Sequence, residues 1–401
     1  MNPKFLRKFT GKNFGVVVVL MVIFTGCASV RVRNPVPENL SEAAQIPDIP
    51  SARVWGDESP PHAKEWLKLP KSEIKKQYPA LFRSPHNYLA ISGGGANGAF
   101  GAGLLAGWTA AGDRPEFSMV TGISTGALAA PFAFLGSAYD AQLKEIYTTY
   151  STKDLVRKRR IFEIIFGDAA FSTKPLKAMI AKYINAEMLE AIAAEYRKGR
   201  QLYIGTVNID AERPVIWNIS KIAASGSPKA LDLVHKILLA SASIPGAFPP
   251  VLIEVETEGQ RFDEMHVDGG TASQVFLYPT GVDWLQVAVK FEVKGKPQAY
   301  IIRNALLDSR WKTVDPKIIQ IAGRSIQSLL RTQGFGDLYK LYLSTLKDDL
   351  GYNLAYIPDH FTMKPKEMFD PEYMGKLYEL GYWSAKSGYP WRKGPPGFET
   401  H

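Results

Sequence analysis

A serine flanked by glycines is the first group in this sequence that can do chemistry. It stands in the segment Gly-Ile-Ser-Thr-Gly at 122–126, after the apolar segment 117–121 and before the Ala- and Leu-rich segment Thr125–Leu135. These flanking patterns predict a short buried strand and a helix. Glycines on both sides of a serine permit the sharp strand-to-helix turn that exposes a nucleophilic hydroxyl at the end of a sheet. Ser124 is therefore the candidate nucleophile, and the Thr125 N–H is expected to point to the same side.

A serine nucleophile needs a base. The histidines that follow Ser124 in the chain are His235, His266, His360 and His401. His266 lies two residues before Asp268, in the segment His-Val-Asp-Gly-Gly. A carboxylate at a strand end, followed by two glycines, can approach another turn closely. Asp268 is therefore the candidate proton acceptor, and His266 is the alternative.

The environment of Asp268 decides whether it can act as a base. An exposed aspartate has a pKa of about 4 and is a weak base at neutral pH. The prediction thus requires that Asp268 be desolvated, hydrogen-bonded to the serine, or both. The competing interpretation is structural, since an aspartate often only caps a glycine-rich turn.

A glycine cluster, Ser-Gly-Gly-Gly-Ala-Asn-Gly at 92–98, lies where another predicted strand meets a helix. Backbone N–H groups can converge in such a loop, and the helix N-terminus adds partial positive charge, which suits a pyrophosphate or an oxyanion. Gly93, Gly95 and Gly98 satisfy the G-x-G-x-x-G pattern of dinucleotide-binding folds. That fold needs an acidic residue at the end of the next strand, whereas Asp113 has roughly the right spacing but precedes that strand.

The elements around these motifs predict a parallel sheet. Strand, glycine turn and helix occur twice in succession between Asn87 and Leu135, which is a βαβα pattern. Apolar residues make up 46% of the 401 residues and charged residues 22%, which excludes a disordered, collagenous or disulfide-stapled chain. Further strands are predicted at Leu202–Asn208, Pro214–Ile219, Val251–Glu256, Met265–Val267 and Trp284–Glu292, and helices within 141–200, at Leu231–Ala240 and over 300–350.

Together the three motifs resemble the patatin-like phospholipase family. Two other segments support the resemblance: Ala240–Pro250, similar to the A-S-x-S-x-P-x-x-F-P-P segment of the family, and Gly205–Asn208 together with 213–215. The likeness extends from about Tyr88 to Thr271. At Asn97, where many members carry Arg or Lys, this chain departs from the family pattern.

The resemblance implies a three-layer α/β/α fold with a mainly parallel central sheet. It also implies hydrolysis of a lipid carboxylic ester by a Ser–Asp dyad, with no metal or other cofactor. The implied site residues are Ser124 (nucleophile) and Asp268 (proton acceptor), with Gly93, Gly94, Gly95, Gly98 and Thr125 at the oxyanion hole and Gly122, Gly126, Gly269 and Gly270 as motif glycines.

The chain begins with a predicted export signal. Four positive residues precede the apolar run Phe14–Phe24, which at 11 residues is shorter than the roughly 20 that a membrane-spanning helix needs. The only cysteine, Cys27, follows this run and resembles the lipidated cysteine of a bacterial lipoprotein, which would anchor the chain in the cell envelope. Ala28 resembles the sorting signal for the outer membrane in enteric bacteria. The alternative is an ordinary cleaved signal with an incidental cysteine.

These observations predict four regions: a signal peptide at 1–26, a Pro-rich tether at 27–85, either free or wrapped on the domain surface, with one short helix near 72–76, a catalytic domain at 86–385 with a helical part at 300–385, and a loose tail at 386–401. The net charge of +9 includes the four positive charges of the leader, so we expect no nucleic-acid partner. A membrane lipid is the expected substrate. The alternatives are a non-catalytic envelope scaffold and a dinucleotide-binding oxidoreductase.

Overall fold

The computed structural model describes residues 33–60, 63–160, 167–278 and 282–398. The predicted signal peptide and Cys27 lie outside these ranges. The chain divides after Pro35 into two units, and the description below concerns the second, which begins at Val36. Among the described residues, no helix combines the length and the apolar character needed to cross a bilayer.

The strands are β1 (Arg53–Trp55), β2 (Asn87–Ile91), β3 (Met119–Ile123), β4 (Arg157–Lys158), β5 (Phe171–Ser172), β6 (Gln201–Asn208), β7 (Arg213–Asn218), β8 (Val251–Thr257), β9 (Gln260–Asp268), β10 (Gln298–Leu306) and β11 (Gly351–Ile357). The helices are α1 (Ala63–Lys68), α2 (Lys71–Gln77), α3 (Gly98–Ala111), α4 (Thr125–Leu135), α5 (Asp140–Thr149), α6 (Thr152–Leu155), α7 (Lys174–Tyr183), α8 (Ala186–Arg197), α9 (Ile219–Ala224), α10 (Ala230–Ser241), α11 (Trp284–Phe291), α12 (Ile318–Lys347) and α13 (Pro371–Lys386). Short 3-10 turns include Gly95–Asn97 and Gly269–Thr271.

The central sheet has nine strands, and its main path runs β1-β7-β6-β3-β2-β10-β11. The five strands β6, β3, β2, β10 and β11 are parallel to one another, while β7 and β1 continue the sheet antiparallel. The hairpin of β8 and β9 joins the sheet where β9 pairs with the last three residues of β6. This order confirms the predicted α/β fold with a mainly parallel central sheet.

Helices cover both faces of the sheet, and alternate residues of β2 show this directly. Leu89 and Ile91 belong to a core shared with α3, α4, α5 and α13, whereas Tyr88 and Ala90 pack in a second core with α12. Strands buried on both faces read as continuous apolar runs. The sequence-predicted strand before the glycine cluster has this pattern.

Close packing of α3 against α13 fixes the position of the glycine cluster, which directly precedes α3. A Cβ atom at Gly103 would lie 2.0 Å from the Tyr378 carbonyl oxygen, and one at Gly107 would lie 2.1 Å from that of Tyr382. Only glycine lets the two helix backbones approach this closely. The start of α3, and hence the loop before it, is held by this contact.

The Pro-rich segment is wrapped on the domain, one of the two arrangements expected, and it also adds a strand that was not predicted. Arg53–Trp55 forms an edge strand antiparallel to β7, and Ile46 and Ile49 are buried. The expected short helix near 72–76 is found as predicted, in α2. Edge strands tolerate nearby prolines, and a pairing of three residues leaves little pattern in the sequence.

The prediction of a strand at Trp284–Glu292 is wrong, because this segment is the helix α11. The Asp283 side chain caps it by accepting the Gln286 N–H, and Val287 and Phe291, one helical turn apart, are buried together. The apolar spacing fits the helical period, although the β-branched and aromatic composition favoured a strand.

The C-terminal region is also less helical than predicted. Within 300–350, most of β10 is a central strand between β2 and β11, and only α12 is helical; β11 follows it. The described part of the tail packs on the domain: the Trp391 ring contacts those of Trp108 and Tyr300, and Arg392 pairs with Leu354. These pairings join residues far apart in the chain, which local patterns do not show.

Candidate active site

Ser124 lies in a strained turn between β3 and α4. Its φ of +55° is rare for a residue with a side chain. A Cβ atom at Gly122 would lie 2.4 Å from the Gly126 carbonyl oxygen, and one at Gly126 would lie 2.2 Å from that of Ile91. The two motif glycines are thus required for the turn to close. Strain of this kind is typical of functional positions, and here it lifts the Ser124 side chain to the carboxyl end of the sheet.

Asp268 ends β9 and is buried beside this turn. Its Oδ1 accepts the Gly270 N–H at 2.7 Å, and a Cβ atom at Gly269 would lie 2.6 Å from the Gly205 carbonyl oxygen. The glycines after Asp268 therefore have two roles: one donates to the carboxylate, and the other lets β9 approach β6.

Burial raises the pKa of Asp268 from 3.8 to about 7. The Ser124 side chain and the Gly270 N–H act in the opposite direction and lower the pKa. The desolvation that the sequence motif requires is therefore present, and the Ser124 side chain lies close enough to stabilise the carboxylate. A pKa near the working pH is what a general base needs.

The end of α10 and the residues that follow it support both Ser124 and Asp268. The Ser241 Oγ accepts the Ser124 N–H at 3.0 Å and donates to the Gly205 carbonyl oxygen at 2.7 Å. The Ser243 carbonyl oxygen accepts the Asp268 N–H at 2.9 Å. Both serines are fully buried. In the sequence, this segment is notable for its likeness to a family pattern, and its positioning role was not predicted. The paired serines were the available signal for that role.

The glycine cluster lies directly against Ser124. A Cβ atom at Gly93 would be 3.3 Å from the Ser124 Cβ, and one at Gly98 would be 2.2 Å from the Thr125 Oγ1. Residue 94 must be a glycine because a Cβ atom there would lie 2.4 Å from the Asn304 carbonyl oxygen. The loop is thus shaped by close contact with the turn that carries Ser124.

Two of the five predicted oxyanion-hole residues use their N–H groups elsewhere. The Gly93 N–H donates to the Gln274 carbonyl oxygen at 3.0 Å, and the Gly98 N–H donates within its own 3-10 turn. The prediction that Gly93 and Gly98 belong to the oxyanion hole is therefore corrected, because these two residues provide space in the loop but no free hydrogen-bond donor. Gly94, Gly95 and Thr125 remain the candidate donors, because the first N–H groups of a turn or helix have no acceptor inside it.

Asn304 and Gln274 hold this loop in place and were not identified from the sequence. The Asn304 backbone N–H donates to the Ser92 Oγ at 2.8 Å, and its side-chain amide donates to the Ser92 carbonyl oxygen at 3.0 Å. Asn97, where a cation is common in the family, accepts a hydrogen bond from the Tyr373 hydroxyl at 2.6 Å. Each partner lies at least 170 residues along the chain from the loop, so local sequence carries no sign of it.

His266 faces a separate buried cluster. Its Nδ1 lies 3.0 Å from the Thr206 Oγ1 and its Nε2 lies 3.1 Å from Glu264, which forms an ion pair of 2.6 Å with Arg53. Burial lowers the pKa of His266 and disfavours its charged form, against the opposing effect of Glu264. With both ring nitrogens engaged away from Ser124, the geometry favours Asp268 over His266 as the base.

Two cavities lie near the sheet. One, of about 360 Å³, is lined by Ile123 and Gly269, the chain neighbours of Ser124 and Asp268, and continues to Phe276 and Leu341; Ser124 and Asp268 themselves do not line it. The other, of about 840 Å³, lies at the amino ends of the parallel strands, lined by residues such as Tyr88 and Met119, and so is remote from Ser124. Among the described residues, no group of three or more His, Cys, Asp or Glu side chains is arranged to hold a metal ion.

A model of a known family matches the part of the chain that carries this site. Residues 89–280 match the family model described as patatin-like phospholipase. This range contains the glycine cluster, Ser124 and Asp268, so the resemblance predicted from the sequence is confirmed. No curated protein matches the chain.

A solved structure is similar at a greater distance. The chain is 12% identical to VipD from Legionella pneumophila, with a TM-score of 0.36. The alignment covers 76% of this chain and 66% of that chain, just under two thirds of its length. At this level the likeness carries no argument about activity.

Proposed function

We propose that this protein, whose residues 89–280 form a patatin-like phospholipase domain, hydrolyses carboxylic esters of lipids with a Ser124–Asp268 dyad. The observation that carries the proposal is the buried Asp268, which lies beside the turn of Ser124 and whose pKa burial raises to about 7. Membership of a family of lipid acyl hydrolases supports the substrate class.

In the first half-reaction the Ser124 Oγ attacks the ester carbonyl carbon and its proton passes to Asp268. The oxyanion that forms is stabilised by N–H groups of Gly94, Gly95 and Thr125, each donor contributing about 3 kcal/mol. The intermediate then collapses to an acyl-enzyme. Asp268 returns the proton to the departing alcohol oxygen, so that its carboxylate is restored.

In the second half-reaction water attacks the acyl-enzyme. Asp268 accepts a proton from the water, and after collapse the proton returns to the Ser124 Oγ as the fatty acid leaves. The same carboxylate thus acts as base and acid in turn, which requires a pKa close to the working pH. The cavity that borders Ile123 and Gly269 is the proposed site for the start of the acyl chain.

Labelling with a fluorophosphonate probe tests the dyad. We expect the folded wild-type chain to be labelled, and Ser124→Ala and Asp268→Asn to remain unlabelled. Labelling that survives Asp268→Asn would identify another base. A folded wild-type chain that is never labelled would favour the alternative function, a non-catalytic envelope scaffold that keeps the fold.

We also propose that Cys27 carries a lipid that anchors the chain in a bacterial outer membrane. The support is the sequence alone: a basic and apolar leader followed directly by the only cysteine. Mass spectrometry of the mature N-terminus should find an acylated Cys27, and Cys27→Ser should release the chain from the membrane fraction. An unmodified N-terminus at another residue would contradict the anchor without affecting the dyad.

A further inference from the structure

Gln274 contacts the loops on both sides of the proposed dyad. Its backbone carbonyl oxygen accepts the Gly93 N–H at 3.0 Å, and its side-chain Nε2 donates to the Gly270 carbonyl oxygen at 2.8 Å. Gly93 belongs to the glycine cluster beside Ser124, and Gly270 lies two residues after Asp268. One residue thus connects the surroundings of the proposed nucleophile with those of the proposed base.

The Gln274 side chain lies beside both glycines. A Cβ atom at Gly93 would be 3.5 Å from the Gln274 Oε1. A Cβ atom at Gly270 would be 3.0 Å from the Gln274 Nε2 and 3.0 Å from the Asp268 Oδ1. Gly270 is therefore enclosed between the amide and the carboxylate, and its N–H donates to the carboxylate at 2.7 Å. A contact that fixes Gly270 also fixes this hydrogen bond.

Asp337 on α12 holds the backbone of Gln274. Its Oδ2 accepts the Gln274 N–H at 2.6 Å. Gly334, about one helical turn earlier, leaves room for the Arg303 guanidinium from β10. Burial raises the pKa of Asp337, whereas the Gln274 N–H and the positive charge of Arg303 lower it. Because an ionised acceptor forms a stronger hydrogen bond than a neutral one, the Asp337 carboxylate holds Gln274 firmly.

The Gly270 N–H is the contact through which Gln274 can influence Asp268. Burial raises the pKa of Asp268, and the Ser124 side chain and the Gly270 N–H lower it. A hydrogen bond to the ionised form of a carboxyl lowers its pKa, so a weaker bond from Gly270 would raise it. Other ionisable groups on the elements packed around these loops include His266 and Glu264 on β9, Arg303 on β10 and Asp337 on α12.

We propose that Gln274, held by Asp337, is a positioning residue that aligns the glycine loop and the Asp268 carboxylate with Ser124. The inference rests on the proposed function, because it concerns the same dyad. The backbone carbonyl oxygen of Gln274 fixes the loop at Gly93, which affects the rate of the chemical step. Its side-chain amide fixes Gly270, which affects the ionisation of Asp268. The two contacts therefore have different kinetic signatures.

The variant Gln274→Met tests the amide contact, because it removes the amide and keeps both backbone hydrogen bonds of residue 274. For hydrolysis of p-nitrophenyl butyrate we expect the pH midpoint of kcat/KM to rise by about half a pH unit, with KM unchanged. A merely structural role would lower the thermal stability and leave the midpoint in place. An unmoved midpoint would overturn the proposal.

Gln286→Met is the matched control for this variant. Gln286 is also a glutamine whose backbone N–H donates to an aspartate, since Asp283 accepts it at 3.0 Å. Its helix, α11, lies at the opposite end of the sheet from Ser124, because Phe291 of α11 contacts His86 just before β2. Gln286→Met should leave the rate and the midpoint unchanged. A midpoint shift as large as that of Gln274→Met would overturn the proposal.

The variant Asp337→Ala tests the support of the Gln274 backbone. It removes the acceptor of the Gln274 N–H, so the loop should move and kcat should fall about tenfold. Asp337→Asn keeps an oxygen that can accept this N–H and should recover the rate to within about twofold of wild type. Asp283→Ala, which removes the matched acceptor on α11, should leave kcat unchanged. A normal kcat in Asp337→Ala, or equal losses in Asp337→Ala and Asp337→Asn, would contradict the role of Asp337.

A titration without turnover separates this inference from the proposed function. The carboxyl carbon of Asp268 is followed by NMR in the full chain labelled with ¹³C-aspartate, and its signal is assigned by its loss in Asp268→Asn. We expect a midpoint of about 7 in wild type and about half a pH unit higher in Gln274→Met. This difference in a chain without esterase activity would refute the proposed function and keep the positioning contact. Equal midpoints would refute the positioning role, even in an active chain.

Discussion

Ser124 and Asp268 meet because both are placed by the same strand, β6. Ile123, the residue before the nucleophile, pairs with Gly205 as the last residue of β3. Asp268 pairs with the next residue, Thr206, from the antiparallel strand β9, which takes over the edge of β6 where β3 ends. The two catalytic candidates thus lie at the junction of a parallel and an antiparallel neighbour.

The pH dependence of the reaction follows from the raised pKa of Asp268. Only the ionised carboxylate can accept the Ser124 proton, so kcat/KM for a soluble ester should rise with pH and level off above about 7. Steady-state rates between about pH 5 and pH 9 check this, with circular dichroism at each pH to show that the chain stays folded. An inflection at about 4, the pKa of an exposed aspartate, would contradict the raised pKa of Asp268.

The same shift predicts a pH-dependent stability difference. Between the unfolded pKa of about 4 and the folded pKa of about 7, the folded state binds a proton on Asp268 that the unfolded state has lost. The wild type should therefore lose stability as pH rises through this window. Asp268→Asn removes the titration. As the pH rises through this window, the free energy of unfolding of the variant should therefore increase relative to that of the wild type by up to roughly 4 kcal/mol. Urea unfolding of both proteins at about pH 4 and about pH 8 measures the gain. A difference that does not change with pH would refute the raised pKa.

Ser241 should act as a positioning residue for the nucleophile. Ser241→Ala removes the acceptor of the Ser124 N–H and the donor to Gly205, and leaving these buried groups unpaired should cost about 2 kcal/mol of stability. We expect kcat to fall about tenfold with little change in KM, because the turn loses its alignment. Ser243→Ala is the control, since its backbone carbonyl still accepts the Asp268 N–H. Equal losses of kcat in the two variants would argue against a specific role for Ser241.

The glycine loop gives a paired test of the oxyanion donors. In Gly94→Ala the new Cβ would lie 2.4 Å from a backbone oxygen of Asn304, so the loop must move and kcat should fall about 100-fold. In Gly95→Ala the Cβ enters open space, and the φ of +56° costs only about 1 kcal/mol. Activity and thermal unfolding of the two variants distinguish displacement of the loop in Gly94→Ala from backbone strain in Gly95→Ala. A Gly94→Ala variant with normal activity would remove this loop from the oxyanion hole.

Local sequence was enough to select Ser124 and Asp268 as candidates, because the turns that carry them need glycines at fixed positions. Gly122 and Gly126 are required by clashes with backbone atoms only a few residues or one neighbouring strand away. Because a nucleophilic serine needs a nearby base, the carboxylate followed by two glycines then indicated Asp268. Both signals are contained in short segments.

The rest of the site depends on contacts between distant segments. Gly93 was predicted to belong to the oxyanion hole, but its N–H donates to the Gln274 carbonyl oxygen, 181 residues further along the chain. The strand β10 was predicted as helix, yet it lies in the middle of the sheet because β2 and β11 pair with it. Neither partner can be identified from a local pattern of residues.

The most direct test of the dyad is to trap the acyl-enzyme. The full chain is mixed with p-nitrophenyl butyrate, quenched in acid within milliseconds to seconds and analysed by peptide mass spectrometry. A Ser124–Asp268 dyad should leave a butyryl group on the peptide that contains Ser124 in wild type, and none on that peptide in Ser124→Ala or Asp268→Asn. A butyryl group on another residue, or ester turnover that persists in Ser124→Ala, would contradict the dyad.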